Sequence, residues 1–217
     1  NPSALVVFPE DDDTEELAAL GLGGGEIAIE YGHWWHSFGE HLRWHPDPSE
    51  WDQAFAAALP FSPIPDRSHF EWKAFRDQLT SDTSLARLLR KPGLLIHAEL
   101  PFLWQMKPGE CLEGIMDLTI HDPDTGEWLV LDWKTNPIAP EHAETLRDHY
   151  EPQLAAYVKV LNHMFRAPVT AGIYSTATAR WLPYDPASID ARWEQIVREA
   201  STLTADHAED IRASSSV

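Results

Sequence analysis

The sequence predicts an α/β fold, in which helices flank a mixed central β-sheet and the N-terminal portion is helical. Two patterns carry this prediction. Apolar residues recur at helical spacing in the first part of the chain, and from Gly93 onward they occur in the short or alternating runs that are typical of strands. Composition adds a third observation, because 217 residues that are 43% apolar and include ten tryptophans can fill one core.

The first helices are predicted from spacing and from capping residues. Trp35, Phe38 and Leu42 are three and four residues apart, which predicts a helix over residues 32–45. A second helix is expected to begin at the capping residue Ser49 and to end before Pro60. One or two further helices are expected over residues 67–91, with a break near residues 80–82.

Three consecutive strands follow, in the segments LLIHAELPFLW, LEGIMDLTIH and EWLVLDWKT. A helix over residues 152–164 comes next, because Pro152 suits a first helical turn and apolar residues recur after it at helical spacing. VTAGIYST and ARWLPY then predict a further hairpin, and residues 188–211 predict a terminal helix.

These elements predict a single domain over residues 26–212. An acidic run (PEDDDTEE) and a glycine-rich stretch (GLGGG) predict a flexible leading segment over residues 1–25, and residues 213–217 are expected to form a frayed tail. Because the first residue is Asn1 rather than Met, we expect the chain to be a piece of a longer protein. No segment resembles a membrane span or a signal peptide, so a cytoplasmic location without membrane contact is expected.

The net charge and the cysteine count narrow the classes of protein and of metal site that are possible. The formal net charge of −19 is unusual for a nucleic-acid binder, which normally presents a basic surface, and by itself it indicates only solubility. The single cysteine, Cys111, excludes an internal disulfide framework, a four-cysteine zinc site and a cysteine-held iron–sulfur cluster.

The segment GIMDLTIHDPDTGEWLVLDWKTN carries charged residues where a buried strand would carry apolar ones. A turn centred between Asp124 and Thr125 places Asp117 opposite Asp132, and strand alternation places Asp132 and Lys134 on one face. Facing carboxylates repel each other unless a cation or a shared proton intervenes, which suits a hard divalent ion such as Mg²⁺ or Mn²⁺. A surface ion pair on a solvated sheet face explains these charges equally well.

Five motifs occur in order along the chain: G-x-x-x-H (Gly32 to His36), H-A-E-L-P-F (His97 to Phe102), G-I-M-D (Gly114 to Asp117), L-D-W-K-T (Leu131 to Thr135) and Q-L-A-A-Y (Gln153 to Tyr157). Together they resemble the RecB-type nuclease domain, a branch of the P-D-(D/E)-x-K superfamily found at the C-terminal end of RecB and AddA helicase–nucleases. Met116 stands where the superfamily name has proline. The resemblance implies a restriction-endonuclease-like sheet.

The resemblance also implies a metal-dependent DNA nuclease in the bacterial cytoplasm. It would cut single strands exonucleolytically as a linked helicase delivers them during double-strand-break repair and recombination. Asp117 and Asp132 would hold Mg²⁺ or Mn²⁺, with His36 and the Trp133 carbonyl as further ligands and Glu99 as an auxiliary ligand.

Three further residues complete the implied catalytic set of Asp117 and Asp132. Lys134 would orient or deprotonate the attacking water, and Gln153 and Tyr157 would position the active-site loop and a phosphate of the cut strand. The helicase domains would belong to the same chain or complex, which explains how an acidic nuclease domain meets DNA. The lack of four cysteines favours relatives without an iron–sulfur cluster, the AddA and RecB side of the family.

Three alternatives remain open from the sequence. The domain could be a catalytically silent, nuclease-like scaffold that docks a helicase or partner subunit, although every charged position of the motifs is filled. A zinc site is a second alternative, since His41 and His45 have the spacing of two ligands on one helix. Trp104 and Trp133 are candidates for stacking on single-stranded bases, although most tryptophans are expected in the core.

Overall fold

A computed structural model describes residues 25–42, 44, 48–81, 83–108 and 110–214. Residues 1–24 and 215–217 lie outside this description, and with them most of the predicted leading segment and the end of the predicted tail. Six α-helices and one five-stranded sheet form within the described residues. The helices are α1 (Glu26–His41), α2 (Pro48–Ala58), α3 (Pro65–Thr80), α4 (Ser84–Leu89), α5 (Ala143–Phe165) and α6 (Pro186–Ser214); the strands are β1 (Leu95–Lys107), β2 (Glu110–His121), β3 (Trp128–Lys134), β4 (Val169–Ser175) and β5 (Arg180–Pro183).

The sheet is mixed and its strands lie in chain order, β1 to β5. β3 and β4 are parallel, with α5 as their connection, whereas the other neighbouring strands are antiparallel. The predicted α/β architecture, a mixed sheet flanked by helices, is therefore confirmed. Among the described residues, no helix combines the length and the apolar character that crossing a membrane requires.

The turn between β2 and β3 sets the register of these two strands. The Asp122 N–H donates to the Glu127 carbonyl at 2.9 Å, and Gly126 takes the positive φ of 76° that a residue without a Cβ adopts readily. Leu118 consequently pairs with Leu131, which is the register that the turn composition predicted. Asp117 and Asp132 are the next residues beyond this pair.

Two hydrophobic cores lie on opposite faces of the sheet. The N-terminal core packs the aromatic faces of α1, α2 and α3 against β2 and β3, and it includes Trp35, Phe55 and Trp72. The C-terminal core packs α5 and the start of α6 against the other face, with Leu154 and Leu161 fully or almost fully buried. The sheet thus separates two layers of helices, and most of the tryptophan content serves packing.

β1 and β2 change faces at one point along their length. Ile96 and Ala98 pack against the N-terminal core, whereas Leu100 and the following even-numbered residues of β1 pack against the C-terminal core. Strict alternation along a strand would put Ile96, Ala98 and Leu100 on one face, and β1 departs from it here. The reason is Glu99, whose φ of 49° is left-handed and turns the strand over.

The same exchange occurs in β2 on either side of Asp117. Met116 belongs to the C-terminal core and Leu118 to the N-terminal core. Since Ala98 pairs with Leu118 and Leu100 pairs with Met116, Glu99 and Asp117 lie together where both strands turn over. We call Glu99 and Asp117 the crossing pair.

The bounds of α1 and α5 differ most from prediction. α1 begins at Glu26 rather than at residue 32, and it ends at His41 because Leu42 is extended. α5 begins at Ala143, so Pro152 lies inside the helix instead of in its first turn. An interior proline removes one helical hydrogen bond, but the buried stripe of Leu146, Tyr150 and Leu154 continues across it and packs in the C-terminal core.

Candidate active site

Asp117 lies where β2 and β3 separate. Its Oδ2 accepts the backbone N–H of Trp133 at 2.7 Å, so the carboxylate contacts the peptide between Asp132 and Trp133. The described ladder of these strands ends one residue earlier, at Leu118 and Leu131, because a side chain takes the place of the next backbone partner. Asp117 is 8% exposed, and a carboxylate so deeply placed is stabilised by donated hydrogen bonds.

Asp132 and Lys134 form a buried ion pair. Lys134 Nζ lies 2.9 Å from Asp132 Oδ2, with side-chain exposures of 2% and 1%. The same ammonium lies 3.8 Å above the centre of the Tyr150 ring in α5, a cation–π contact. These contacts place Asp132 and Lys134 on the same face of β3, as alternation predicted, and they rule out the interpretation of this pair as a surface ion pair.

His36 joins the crossing pair to form a compact group of ligand atoms. His36 Nδ1 lies 3.3 Å from Asp117 Oδ1 and 3.9 Å from Glu99 Oε1. One ligand atom from each of the three residues lies within 4.8 Å of the others. Two carboxylate oxygens and one imidazole nitrogen can hold a divalent ion, and the two carboxylates are the part of this donor set that suits Mg²⁺ or Mn²⁺.

Glycines bring α1 close enough to the sheet for His36 to reach this group. A Cβ on Gly32 would lie 3.2 Å from Thr135 Oγ1, and a Cβ on Gly39 would lie 3.2 Å from Trp133 Nε1. Both glycines therefore allow the helix to approach the end of β3. His36 follows Gly32 by about one helical turn, which explains the spacing of the G-x-x-x-H motif.

Gln153 and Tyr157 support β2 from α5. Gln153 Nε2 donates to the Tyr157 hydroxyl oxygen at 2.9 Å, and that hydroxyl donates to the Ile115 carbonyl at 2.8 Å. Burial, followed by the negative charges of Asp132 and Asp117, raises the pKa of Tyr157 well above its ordinary value. Tyr157 therefore stays a neutral donor and fixes the strand two residues before Asp117.

The backbone of Trp133 faces β2, whereas its side chain lies in the N-terminal core. Its N–H faces β2, and because the N–H and C=O of one strand residue point to the same side, the carbonyl is directed at β2 as well. Its ring is 3% exposed in the N-terminal core and packs against Trp35 and Phe75, so it is not accessible to a base. Trp104 is half-buried and stacks on His163 at 4.8 Å.

The zinc alternative gains no support in the described part of the chain. His41 is exposed and its Nδ1 lies 2.8 Å from the Ser37 carbonyl of its own helix. His45, its predicted partner, lies outside the described residues.

Several residues at the site were not identified from the sequence. Tyr150 contacts Lys134, while Arg67 and Glu71 of α3 connect α1 to the segment after β3. Glu71 carried a detectable signal, since it is spaced four residues from Phe75 on the buried face of α3, where an apolar residue is expected. A carboxylate at such a position indicates a buried polar contact.

The chain has matches among protein-family models and among solved structures. The family model of the PD-(D/E)XK nuclease superfamily matches residues 22–216. Among solved structures, the chain is similar to a protein from Eubacterium rectale that is provisionally named an exonuclease, at 10% sequence identity and a TM-score of 0.46, over 84% of this chain and 68% of that chain. No curated protein matches the chain.

Proposed function

Because the chain belongs to the PD-(D/E)XK nuclease superfamily, we propose that it hydrolyses the phosphodiester bonds of DNA with a bound Mg²⁺ or Mn²⁺. The observation that carries this proposal is the meeting of His36, Glu99 and Asp117 beside the buried Asp132–Lys134 pair. The first three residues come from separated motifs of the chain, yet one ligand atom from each lies within 4.8 Å of the others. Asp117 also accepts the backbone N–H of Trp133, the residue between Asp132 and Lys134.

Each residue has a role that follows from its contacts. His36, Glu99 and Asp117 would hold the ion, with Asp132 and the Trp133 carbonyl as further ligands. A divalent ion bound there stabilises negative charge on a phosphoryl oxygen and lowers the pKa of a bound water. Lys134, held by Asp132 and the Tyr150 ring, would direct its ammonium group at the attacking water.

Gln153 and Tyr157 would act as positioning residues. Their hydrogen-bonded chain to the Ile115 carbonyl fixes the β2 backbone next to Asp117. With substrate bound, the single hydroxyl proton of a neutral Tyr157 would be donated to a phosphate in place of that carbonyl. An anionic phenolate would repel that phosphate, so the raised pKa of Tyr157 favours this role.

We further propose that the substrate is single-stranded DNA delivered by helicase domains of the same chain or complex, with exonucleolytic cutting during double-strand-break repair in the bacterial cytoplasm. The five RecB-type motifs support this finer assignment, because His36 of the first motif lies 3.3 Å from Asp117, and Tyr157 of the last motif donates to the Ile115 carbonyl two residues before Asp117. Delivery by a motor also compensates for the net charge of −19, which repels a free polyanion.

Degradation of end-labelled single-stranded and double-stranded DNA, with Mg²⁺, with Mn²⁺ and with a chelator, tests the proposal. The wild type should degrade the single strand only with a metal present, and Asp117→Asn and Lys134→Met should each abolish the reaction. Lys73→Met is the matched control, since Lys73 forms an exposed ion pair with Asp77 on α3. Wild-type protein that is folded but no more active than both site variants would instead support the silent scaffold.

A further inference from the structure

Arg67 connects three separate parts of the fold. Its Nε donates to Glu71 Oε1 at 2.6 Å, one turn along α3, and a terminal nitrogen donates to the Thr135 carbonyl at 2.5 Å. The guanidinium group lies 4.1 Å above the centre of the Tyr31 ring in α1. Thr135 directly follows Lys134, so α3 holds the chain where it leaves β3.

Glu71 links α3 to α1, because one of its carboxylate oxygens binds Arg67 and the other binds Tyr31. It is 3% exposed, and its Oε2 accepts the Tyr31 hydroxyl at 2.7 Å. Burial and the adjacent Glu71 carboxylate raise the pKa of Tyr31, so this hydroxyl keeps its proton and remains a donor. We call Tyr31, Arg67, Glu71 and the Thr135 carbonyl the Arg67 network.

The Arg67 network lies where α1 approaches the end of β3. A Cβ on Gly32, next to Tyr31, would lie 3.2 Å from Thr135 Oγ1, so α1 passes close to the residue after Lys134. His36 is located little more than one helical turn after Tyr31 on the same helix. Any shift of α1 relative to β3 therefore changes the distance between His36 and Asp117.

We propose that Arg67 and Glu71 are positioning residues of the active site, which hold α1 against the end of β3 and thereby place His36 beside Asp117. The inference rests on the proposed function, since it concerns the same metal ligands. A buried charged pair is costly unless its geometry is well satisfied. Because the contacts of this pair reach Tyr31 of α1 and the Thr135 carbonyl, the pair favours a specific arrangement over a merely stable one.

A second arginine of α3 offers a matched control. Arg76 Nε donates to both carboxylate oxygens of Asp52 in α2, at 2.6 and 2.8 Å. This pair also links α3 to a neighbouring helix, but it contacts neither α1 nor the end of β3. Loss of Arg76 therefore reports the general effect of removing an arginine–carboxylate pair from this helix.

Mn²⁺ affinity, measured by electron paramagnetic resonance, tests the inference in a double-mutant cycle of Arg67→Met and His36→Ala. We expect Arg67→Met to weaken binding about tenfold, the scale typical of residues that orient metal ligands, and to have almost no effect once His36 is absent. Arg76→Met should bind Mn²⁺ as the wild type does. Additive effects in the cycle, or equal losses in both arginine variants, would overturn the inference.

Two further measurements separate the positioning role from misfolding and from the question of metal binding. The first uses a variant with a smaller change, and the second uses the metal-free protein. Tyr31→Phe removes only the hydrogen bond to Glu71 and should weaken Mn²⁺ binding in the same direction by a smaller factor. In the metal-free protein, the nuclear magnetic resonance signals of the His36 ring should shift in Arg67→Met and Tyr31→Phe but not in Arg76→Met. If the wild type binds no Mn²⁺, the proposed function fails, and unchanged His36 signals in Arg67→Met would separately refute the positioning role.

Discussion

At the scale of single residues, the proposed site includes a buried lysine and a buried aspartate. Lys134 and Asp132 are almost inaccessible to solvent, so each charge depends on the other and on neighbouring groups such as the Tyr150 ring. Pairs of this kind are seldom kept for stability, because apolar residues of similar size fill the same space at lower cost. Their presence on a fully buried strand therefore points to chemistry.

Lys134→Met should destabilise the fold by about 3–5 kcal/mol, because Asp132 loses its ammonium partner inside the protein. Combining it with Asp132→Asn should recover most of the free energy of unfolding without restoring DNA degradation. Urea unfolding of the three variants measures this. In Lys73→Met, which breaks an exposed pair, we expect a change below about 1 kcal/mol. An equal loss in both lysine variants would contradict the buried pair as the cause.

Strand alternation and turn composition were sufficient to predict that Asp132 and Lys134 share a face and that Leu118 pairs with Leu131. They could not predict Arg67, because its partner carbonyl lies 68 residues further along the chain. Nor could they predict the turned-over strand at Glu99, since nothing in a glutamate signals a left-handed backbone. Contacts and conformations of this kind are set by tertiary packing.

At the scale of elements, α1 acts through its close approach to the sheet. Gly32 and Gly39 omit the side chains that would hold this helix away from Thr135 and Trp133. Glycine lowers helix stability by about 1 kcal/mol relative to alanine, so the contact is kept at the expense of the helix itself. The motif glycine is thus explained by the position it gives to His36.

Gly32→Ala should reduce DNA degradation about tenfold or more, because a Cβ at 3.2 Å from Thr135 Oγ1 displaces α1 and the His36 ring. Helix propensity rises in this variant, so the melting temperature should not fall in proportion. Steady-state rates and thermal unfolding check both statements. Adding Thr135→Ala, which removes the opposing oxygen, should restore much of the rate; a double variant as slow as Gly32→Ala would exclude this contact as the cause.

The elements themselves were largely predictable, whereas their ends were not. The spacing of apolar residues over 152–164 correctly predicted a helix. Because Pro152 was expected in the first turn, the first nine residues of α5 were left out of the prediction. Leu146 and Tyr150 continue the same buried stripe and outweigh the hydrogen bond that the proline removes. Packing against the C-terminal core decided the boundary, and local preference did not.

At the scale of the whole molecule, all five tyrosines are buried in the two cores. Burial is the main cause that raises the pKa of four of them, Tyr31, Tyr157, Tyr174 and Tyr184. A raised pKa means that the folded protein keeps a proton which the unfolded chain releases. This contribution to stability is complete below the unfolded value of about 10 and declines as the pH rises above it.

The free energy of unfolding should therefore fall steeply above about pH 10, and tyrosinate absorbance at about 295 nm should appear together with unfolding. Urea unfolding between about pH 8 and about pH 11, followed by absorbance and circular dichroism, measures both signals. The urea-unfolded chain provides the reference titration. Tyrosinate absorbance that grows while the circular dichroism remains native would refute the buried, neutral state of these side chains.

The crossing pair gives the β1–β2 hairpin a wider significance. In each strand, the residues on one side of the crossing pair pack in the N-terminal core and those on the other side pack in the C-terminal core. The β1–β2 hairpin therefore contributes to both cores. If Glu99 and Asp117 were placed on a hairpin with regular alternation, the two carboxylates would be present without the strand turn that brings them together. In this protein the position of the proposed metal ligands Glu99 and Asp117 is inseparable from the hairpin that contributes to both hydrophobic cores.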